Sequence, residues 1–90
     1  MLKRNFKITS ESGIHARPAI MLVNVAMHYD CEITLGVIKK AVDLKSIMGL
    51  MSLGVNQGTN IEIVCDGSDE EQALEGLTQK IYELKLGIEA

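Results

Sequence analysis

One histidine of this chain lies in a segment that could carry phosphoryl-transfer chemistry, Gly13-Ile14-His15-Ala16-Arg17-Pro18-Ala19. Proline is tolerated in the first turn of a helix, so Pro18 indicates that a helix begins close to His15. A phosphoryl group on that imidazole would lie beside free backbone N–H groups at the positive end of the helix dipole. Arg17 adds a permanent charge whose planar fork fits phosphate oxygens. The spacing therefore predicts a phosphohistidine site at His15.

A histidine at a helix start is more often a structural cap or an ordinary surface residue, because short motifs produce many false matches. His28 illustrates that reading, since it lies near the end of the same predicted helix with no arginine or glycine turn beside it. An imidazolium there suits the negative end of the helix dipole. We therefore interpret His28 as structural and His15 as the candidate nucleophile.

A second segment, residues 46–54, resembles a short helix with more apolar side chains than one buried face can hold. Ser46 is typical of an N-cap, and Gly54 is typical of the residue that ends a helix. Leu50 and Leu53 fit the face toward the core, which leaves three other large side chains: Ile47, Met48 and Met51. Methionines on an exposed patch suit a protein that binds several partners. Periodicity alone allows equally that they cover the edge of the core.

Both segments lie in stretches without a carboxylate. Windows 12–29 and 44–61 contain Arg17 and Lys45 as their only formally charged residues. If the windows meet in the fold, they form a surface that tolerates a phosphoryl group and suits an acidic protein partner. The formal net charge of the chain is −3, and it has only three aromatic residues. That combination argues against a direct contact with nucleic acid.

Ninety residues, of which 47% are hydrophobic, predict one small domain over residues 1–90 with a modest core. No apolar run is long enough to span a membrane and no signal peptide is visible, which favours a cytoplasmic location. Cys31 and Cys65 share no metal-ligand spacing. We expect them to be buried reduced thiols, with a disulfide as the less favoured alternative.

Periodicity predicts strands and helices that alternate along the chain. Alternating apolar and polar residues predict four strands, within residues 2–8, 33–37, 40–44 and 61–65. Helical spacing predicts a helix over residues 16–27, with the buried stripe Ala19, Leu22, Val23 and Ala26. Ser68-Asp69-Glu70-Glu71 is interpreted as a capping box that opens a last helix, and Gly87 as its stop. The inner stripe of that helix is predicted to be Ala73, Leu77, Ile81 and Leu84.

Residues 13–19, G-I-H-A-R-P-A, and residues 44–54, L-K-S-I-M-G-L-M-S-L-G, resemble the two signature segments of the HPr family. These proteins are the histidine-containing phosphocarriers of the phosphoenolpyruvate-dependent sugar phosphotransferase system, here in the form typical of Gram-positive bacteria. The resemblance covers essentially the whole chain. It implies an α+β fold, an open-faced β-sandwich of the type βαββαβα. Its four-stranded antiparallel sheet would have the order 1-4-2-3 and be covered on one face by helices.

The same resemblance implies roles for individual residues. His15 would accept a phosphoryl group from phosphorylated enzyme I and pass it to sugar-specific IIA proteins, while Arg17 would steady that group. Ser46 matches the serine that an HPr kinase/phosphorylase modifies, which links it to a catabolite-control transcription regulator. The apolar docking patch beside the active site would comprise Ile47, Met48 and Met51. Such a protein is a monomeric carrier rather than an enzyme, with no cofactor, no metal and no membrane insertion.

Three positions differ from the usual family pattern. The hairpin between the second and third strands has Ile38 and Lys39 where Asn-Gly is common, so its geometry stays open. Ile20 stands where a smaller residue is common, and it extends the apolar patch near His15. Gly76 lies inside the last helix, where a glycine costs roughly 1 kcal/mol relative to alanine.

Two other functions remain alternatives. A small acyl- or phosphohydrolase could use Arg17 for phosphate, but it would need a group that activates water, and neither window holds a carboxylate. A regulatory paralogue of the same family, acting mainly through Ser46, is the more serious alternative. Known regulatory forms of this kind lack the active-site histidine, whereas His15 is present here.

Overall fold

The computed structural model describes residues 1–90 and has an open antiparallel sheet with three helices packed on it. In chain order the elements are β1 (Leu2–Ile8), α1 (Ala16–Ala26), β2 (Glu32–Val37), β3 (Lys40–Asp43), α2 (Ile47–Ser52), β4 (Asn60–Asp66), α3 (Glu70–Glu83) and β5 (Gly87–Glu89). The strand order in the sheet is β3-β2-β4-β1-β5, and every neighbouring pair is antiparallel. The predicted open-faced fold and the predicted order of the first four strands are therefore confirmed.

The core lies between the helices and one face of the sheet. Side chains alternate across a strand, so every second residue of β1, β2 and β4 turns toward the helices. The fully buried members of these strands include Phe6, Ile8, Ile33, Leu35, Ile61 and Ile63. The predicted stripe of α1 is entirely buried, and that of α3 is buried except for Leu84, which is half-buried.

The sheet has a fifth strand, so the prediction of four strands was wrong, as was the interpretation of Gly87 as a helix stop. The chain leaves α3 through Lys85, which adopts a left-handed φ of 55°, and the Leu86 N–H donates to the Ile81 carbonyl at 3.0 Å. Closures of this kind usually use glycine at the left-handed position, but a lysine occupies it here. Gly87 instead begins β5, where a Cβ atom would collide with the Lys7 carbonyl oxygen of β1.

The predicted capping box at the start of α3 was also wrong in detail. The N-cap is Asp69 rather than Ser68, and its carboxylate makes no capping hydrogen bond. That carboxylate accepts the backbone N–H groups of Asp30 at 2.8 Å and Cys31 at 3.0 Å, and these bonds lower the pKa of Asp69. The Glu70 carboxylate instead accepts the backbone N–H of Gly67, three residues earlier, at 3.1 Å. Asp69 therefore ties α3 to the loop before β2.

Both cysteines are free and buried, as the sequence predicts. Burial raises the pKa of the Cys31 thiol to about 12, and it also raises the pKa of the Cys65 thiol. A thiol is nucleophilic as the thiolate, so burial disfavours the reactive form of both groups.

The hairpin between β2 and β3 is a two-residue turn formed by Ile38 and Lys39, with Val37 paired to Lys40. Neither turn residue has a positive φ, since Lys85 is the only non-glycine residue that does. The turn is therefore not one of the primed types that favour Asn-Gly, which explains how the chain dispenses with glycine there.

Gly76 has a packing role that its sequence context does not reveal. It lies in the interior of α3, and a Cβ atom at this position would be 2.5 Å from the hydroxyl oxygen of Tyr29. Tyr29 lies just beyond the end of α1 and packs against the core as a half-buried side chain. The missing side chain at residue 76 therefore makes room for the tyrosine between two helices.

We expect Gly76→Ala to destabilise the protein, even though alanine is worth about 1 kcal/mol more than glycine inside a helix. The added methyl group must displace Tyr29. In a Tyr29→Leu background the same substitution should instead stabilise the protein and raise the melting temperature by about 4–8 °C. Thermal melting of the wild type, both single variants and the double variant measures this change of sign. A higher melting temperature for Gly76→Ala alone would contradict the packing role.

Candidate functional site

His15 is the N-cap of α1. Its backbone is extended, with φ −88° and ψ −171°, and its carbonyl accepts the Ala19 N–H at 3.0 Å. The imidazole is exposed and makes no capping hydrogen bond. The main chain of His15 therefore belongs to the helix start, while its ring nitrogens stay free for another reaction.

The first turn of α1 offers positive charge and unpaired donors beside this imidazole. The backbone N–H groups of Ala16 and Arg17 donate to no protein acceptor, and Pro18, the third helical residue, has no N–H. The Arg17 side chain is exposed and forms no ion pair. No acidic residue lies in this turn. The first turn of α1 therefore carries two free N–H donors, a guanidinium and the positive end of the helix dipole, all of which favour an anion.

The loop before His15 is held against the segment that follows α2. Gly13 has a φ of +62°, and a Cβ atom there would collide with the Val55 carbonyl oxygen and lie 2.9 Å from the Asn56 Cα. The next residue, Ile14, is buried and donates its N–H to the same Val55 carbonyl at 3.0 Å. Sequence analysis did not identify Val55, because a main-chain contact between distant residues leaves no local pattern. The loop that leads to His15 is therefore hydrogen-bonded to and packed against the segment that follows α2.

Ser46 is the N-cap of α2, as predicted, and its hydroxyl accepts the Gly49 N–H at 3.0 Å. At the other end Gly54 follows the helix with a φ of +59°. Leu50 is buried in the core, whereas Leu53 is only half-buried. Because α2 has six residues, Ser46 lies roughly 10 Å along the helix from the end that supports the histidine loop.

Four large apolar side chains project into solvent from α1 and α2, which pack against each other. Met48 is 84% exposed, and the exposed fractions of the other three are close to 40%: Ile20 43%, Ile47 43% and Met51 41%. Each of these side chains keeps at least two-fifths of its surface in water. We call Ile20, Ile47, Met48 and Met51 the apolar patch.

The two carboxylate-free windows do meet, through the packing of α1 on α2 and the bond between Ile14 and Val55. Their two charges are separated, however. The Lys45 ammonium donates to the Tyr29 carbonyl at 2.6 Å, beyond the C-terminal end of α1. Since α1 is roughly 16 Å long, Lys45 lies far from His15. Arg17 is therefore the cation of these windows that lies at the histidine end.

The remaining observations concern the rest of the surface. His28 places its Nδ1 2.7 Å from the Asn24 carbonyl oxygen, which agrees with its structural interpretation. His15 lies in none of the five surface depressions of the structure. No set of three or more His, Cys, Asp or Glu side chains is arranged to hold a metal ion. None of the helices has the length and apolar character needed to cross a membrane.

Comparison with known proteins agrees with this geometry. Residues 2–83 match the family model described as the PTS HPr component phosphorylation site. The chain belongs to the HPr family, the phosphocarrier proteins of the phosphotransferase system.

Three solved structures show how closely the fold is shared. The histidine-containing phosphocarrier protein of Mycoplasma is 36% identical, with a TM-score of 0.94 over 96% of this chain and 98% of that chain. The phosphocarrier protein HPr of Bacillus anthracis is 37% identical, with a TM-score of 0.81 over 88% of this chain and 94% of that chain. The catabolite repression protein Crh of Bacillus subtilis, described as a domain-swapped dimer, is 37% identical with a TM-score of 0.72, over 92% and 95%.

Proposed function

We propose that this protein accepts a phosphoryl group on His15 from phosphorylated enzyme I and passes it to sugar-specific IIA proteins. Residues 1–90 would act as one HPr domain, as a monomer in the cytoplasm. The observation that carries the proposal is an exposed, unpaired imidazole at the N-cap of α1, beside Arg17 and two free N–H groups. Family membership supports the same assignment.

The chemistry follows from these groups. Only a neutral imidazole has a lone pair to attack phosphorus, so His15 must be unprotonated when the donor arrives. A nitrogen–phosphorus bond then forms as the bond between the phosphoryl group and the donor breaks. The phosphoryl oxygens accept hydrogen bonds from the backbone N–H groups of Ala16 and Arg17 and from the Arg17 guanidinium. In the onward transfer the same bond breaks and the electron pair returns to the imidazole.

A carrier must release its phosphoryl group as readily as it accepts it. One arginine and a helix start stabilise the group without enclosing it, which leaves the phosphorus open to in-line attack by the next acceptor. No carboxylate lies in the first turn of α1 to activate a water molecule. We therefore propose a carrier rather than a hydrolase or an enzyme with its own turnover, and no cofactor is required.

Enzyme I and phosphoenolpyruvate provide the direct test. We expect the wild type to acquire acid-labile phosphate on His15 and to lose it when a IIA protein is added. Acyl phosphate supplies the control for hydrolysis, since a carrier should not turn it over. Wild-type protein that takes no label from active enzyme I would contradict the proposed function.

A second candidate function is regulatory, through phosphorylation of Ser46 by HPr kinase/phosphorylase. The similarity to Crh, which is described as a catabolite repression protein, favours it. A phosphate on Ser46 would lie at the helix N-terminus of α2 and next to the apolar patch that we propose as the docking surface for enzyme I. The modified surface would suit a transcription regulator that presents arginine or lysine. Acid-stable label with ATP and the kinase, without any label from enzyme I, would support this candidate alone.

We expect Ser46→Asp to slow phosphorylation by enzyme I about tenfold or more without unfolding the protein. Aspartate is itself a good N-cap and suits the helix dipole, so the melting temperature should be retained. The new charge would lie on the carboxylate-free surface that enzyme I must contact, and it would weaken that docking. Transfer kinetics and thermal melting measure the two effects.

Ser46→Ala is the matched control for that variant. It removes the cap but adds no charge, so it should lower stability by about 1 kcal/mol and leave transfer largely intact. Equal transfer rates for Ser46→Asp and the wild type would show that this position does not affect docking.

A further inference from the structure

A second loop holds the segment that leads to His15, and one side chain takes part in the attachment. The segment after β1, residues 9–14, lies against the loop between α2 and β4. The bonds at the two ends of this contact are main-chain bonds: the Gly58 N–H donates to the carbonyl of Ile8, the last residue of β1, at 2.7 Å, and the Ile14 N–H donates to the Val55 carbonyl at 3.0 Å. The exception is Gln57, whose Nε2 donates to the Thr9 carbonyl at 3.1 Å.

This bond acts on the first peptide of the histidine loop. The Thr9 and Ser10 N–H groups both donate to the Leu86 carbonyl, at 2.9 and 3.1 Å. The Gln57 side chain donates to the carbonyl of the same Thr9–Ser10 peptide, on the side opposite the Ser10 N–H. The Ser10 carbonyl then accepts the Gly13 N–H at 3.0 Å, which forms the turn before His15. The orientation of the Thr9–Ser10 peptide therefore sets where that turn begins.

We propose that Gln57 is a positioning residue for His15, acting as a side-chain latch on the Thr9 carbonyl. The inference rests on the proposed phosphocarrier function and goes beyond it, because the Gln57 side chain bonds to the main chain of the loop and not to the imidazole. In-line phosphoryl transfer depends on the direction in which the imidazole presents its lone pair. Without the latch, residues 9–14 keep their main-chain anchors but gain freedom at the peptide where the loop starts.

Two substitutions separate the hydrogen bond from the bulk of the side chain. Gln57→Met keeps the length of the glutamine but has no donor, whereas Gln57→Lys keeps a donor that can reach the Thr9 carbonyl. Gln72→Met is the matched control, since Gln72 is exposed on α3 and makes no side-chain hydrogen bond. Both positions are exposed, so the three variants should fold like the wild type.

Amide hydrogen exchange on the unphosphorylated protein reads out the latch directly. We expect the Ile14 amide to exchange about fivefold faster in Gln57→Met, the factor that one hydrogen bond of ordinary strength contributes. The amides of β4 should be unchanged, and Gln57→Lys should restore the wild-type rate. In transfer from enzyme I, Gln57→Met should lower kcat by a similar factor at unchanged KM, because the apolar patch is intact.

Each result decides the proposal. Exchange and kcat in Gln57→Met that match those of Gln72→Met would overturn it, as would faster exchange with unchanged kcat. Lower kcat that Gln57→Lys fails to restore would show that the amide's shape, not its donor, matters, which also overturns the latch. Wild-type protein that accepts no phosphoryl group would contradict the proposed function, while the exchange comparison would still decide whether Gln57 restrains the loop.

Discussion

Replacing His15 with alanine is expected to abolish acid-labile phosphorylation by enzyme I and phosphoenolpyruvate. The substitution removes the only nucleophile at the start of α1, and no other side chain there can take its place. The fold should persist, because the imidazole is exposed and caps no N–H group. A surface change of this kind is worth about 0.5 kcal/mol or less, so the melting temperature should move by less than about 4 °C. Label incorporation and thermal melting measure the two expectations.

His28→Ala is the control that the chain itself offers. His28 is the only other histidine, and it is exposed near the end of α1 with its Nδ1 against the Asn24 carbonyl. This variant should be labelled as fully as the wild type. Acid-labile phosphate on His15→Ala, or its loss from His28→Ala, would contradict the assignment of His15 as the acceptor.

The features that sequence analysis identified correctly are those whose causes are local. The start of α1 follows from His15, Arg17 and Pro18 within four residues, and the N-cap of α2 follows from Ser46 within one helical turn. The strands were predicted because alternation reports which face of a sheet is buried. The candidate site could be predicted from sequence for the same reason, since the proposed acceptor and its arginine are neighbours in the chain, and its role stays a prediction.

The features that it did not identify depend on pairs of residues far apart in the chain. Asp69 has the sequence of a helix cap, but its carboxylate bonds instead to backbone groups 38 and 39 residues away. The sequence around Gly76 predicts only a loss of helix stability in α3, whereas its packing against Tyr29 is evident only in the fold. Strand β5 has three residues, too few for a periodic signal, and it forms because Gly87 can approach Lys7 closely.

The same distinction applies within the site. Gln57 bonds to a main-chain carbonyl 48 residues away, and any residue type can supply such an acceptor. No spacing rule therefore connects it to His15. The proposed reactive groups of this site are encoded locally, whereas the contacts that hold their loop are encoded by the fold as a whole.

Gly13→Ala is expected to have the largest effect on stability of any substitution near the site. A left-handed φ of +62° costs a non-glycine residue about 1–2 kcal/mol. The added methyl group would also collide with the Val55 carbonyl oxygen and come within 2.9 Å of the Asn56 Cα. Both neighbours are backbone, so neither can yield by changing a rotamer. We expect the melting temperature to fall by about 10 °C or more.

Gly54→Ala isolates the collision from the backbone strain. Gly54 has nearly the same φ, +59°, but a Cβ atom there would meet nothing within 4 Å. The Gly54→Ala substitution should therefore lower the free energy of unfolding by about 1–2 kcal/mol and no more. Gly13→Ala should also slow transfer from enzyme I about tenfold or more, because the collision moves the loop that presents His15 away from Val55. If the two variants were equally stable, or if Gly13→Ala accepted phosphate at the wild-type rate, the close packing of this loop would not be what positions the histidine.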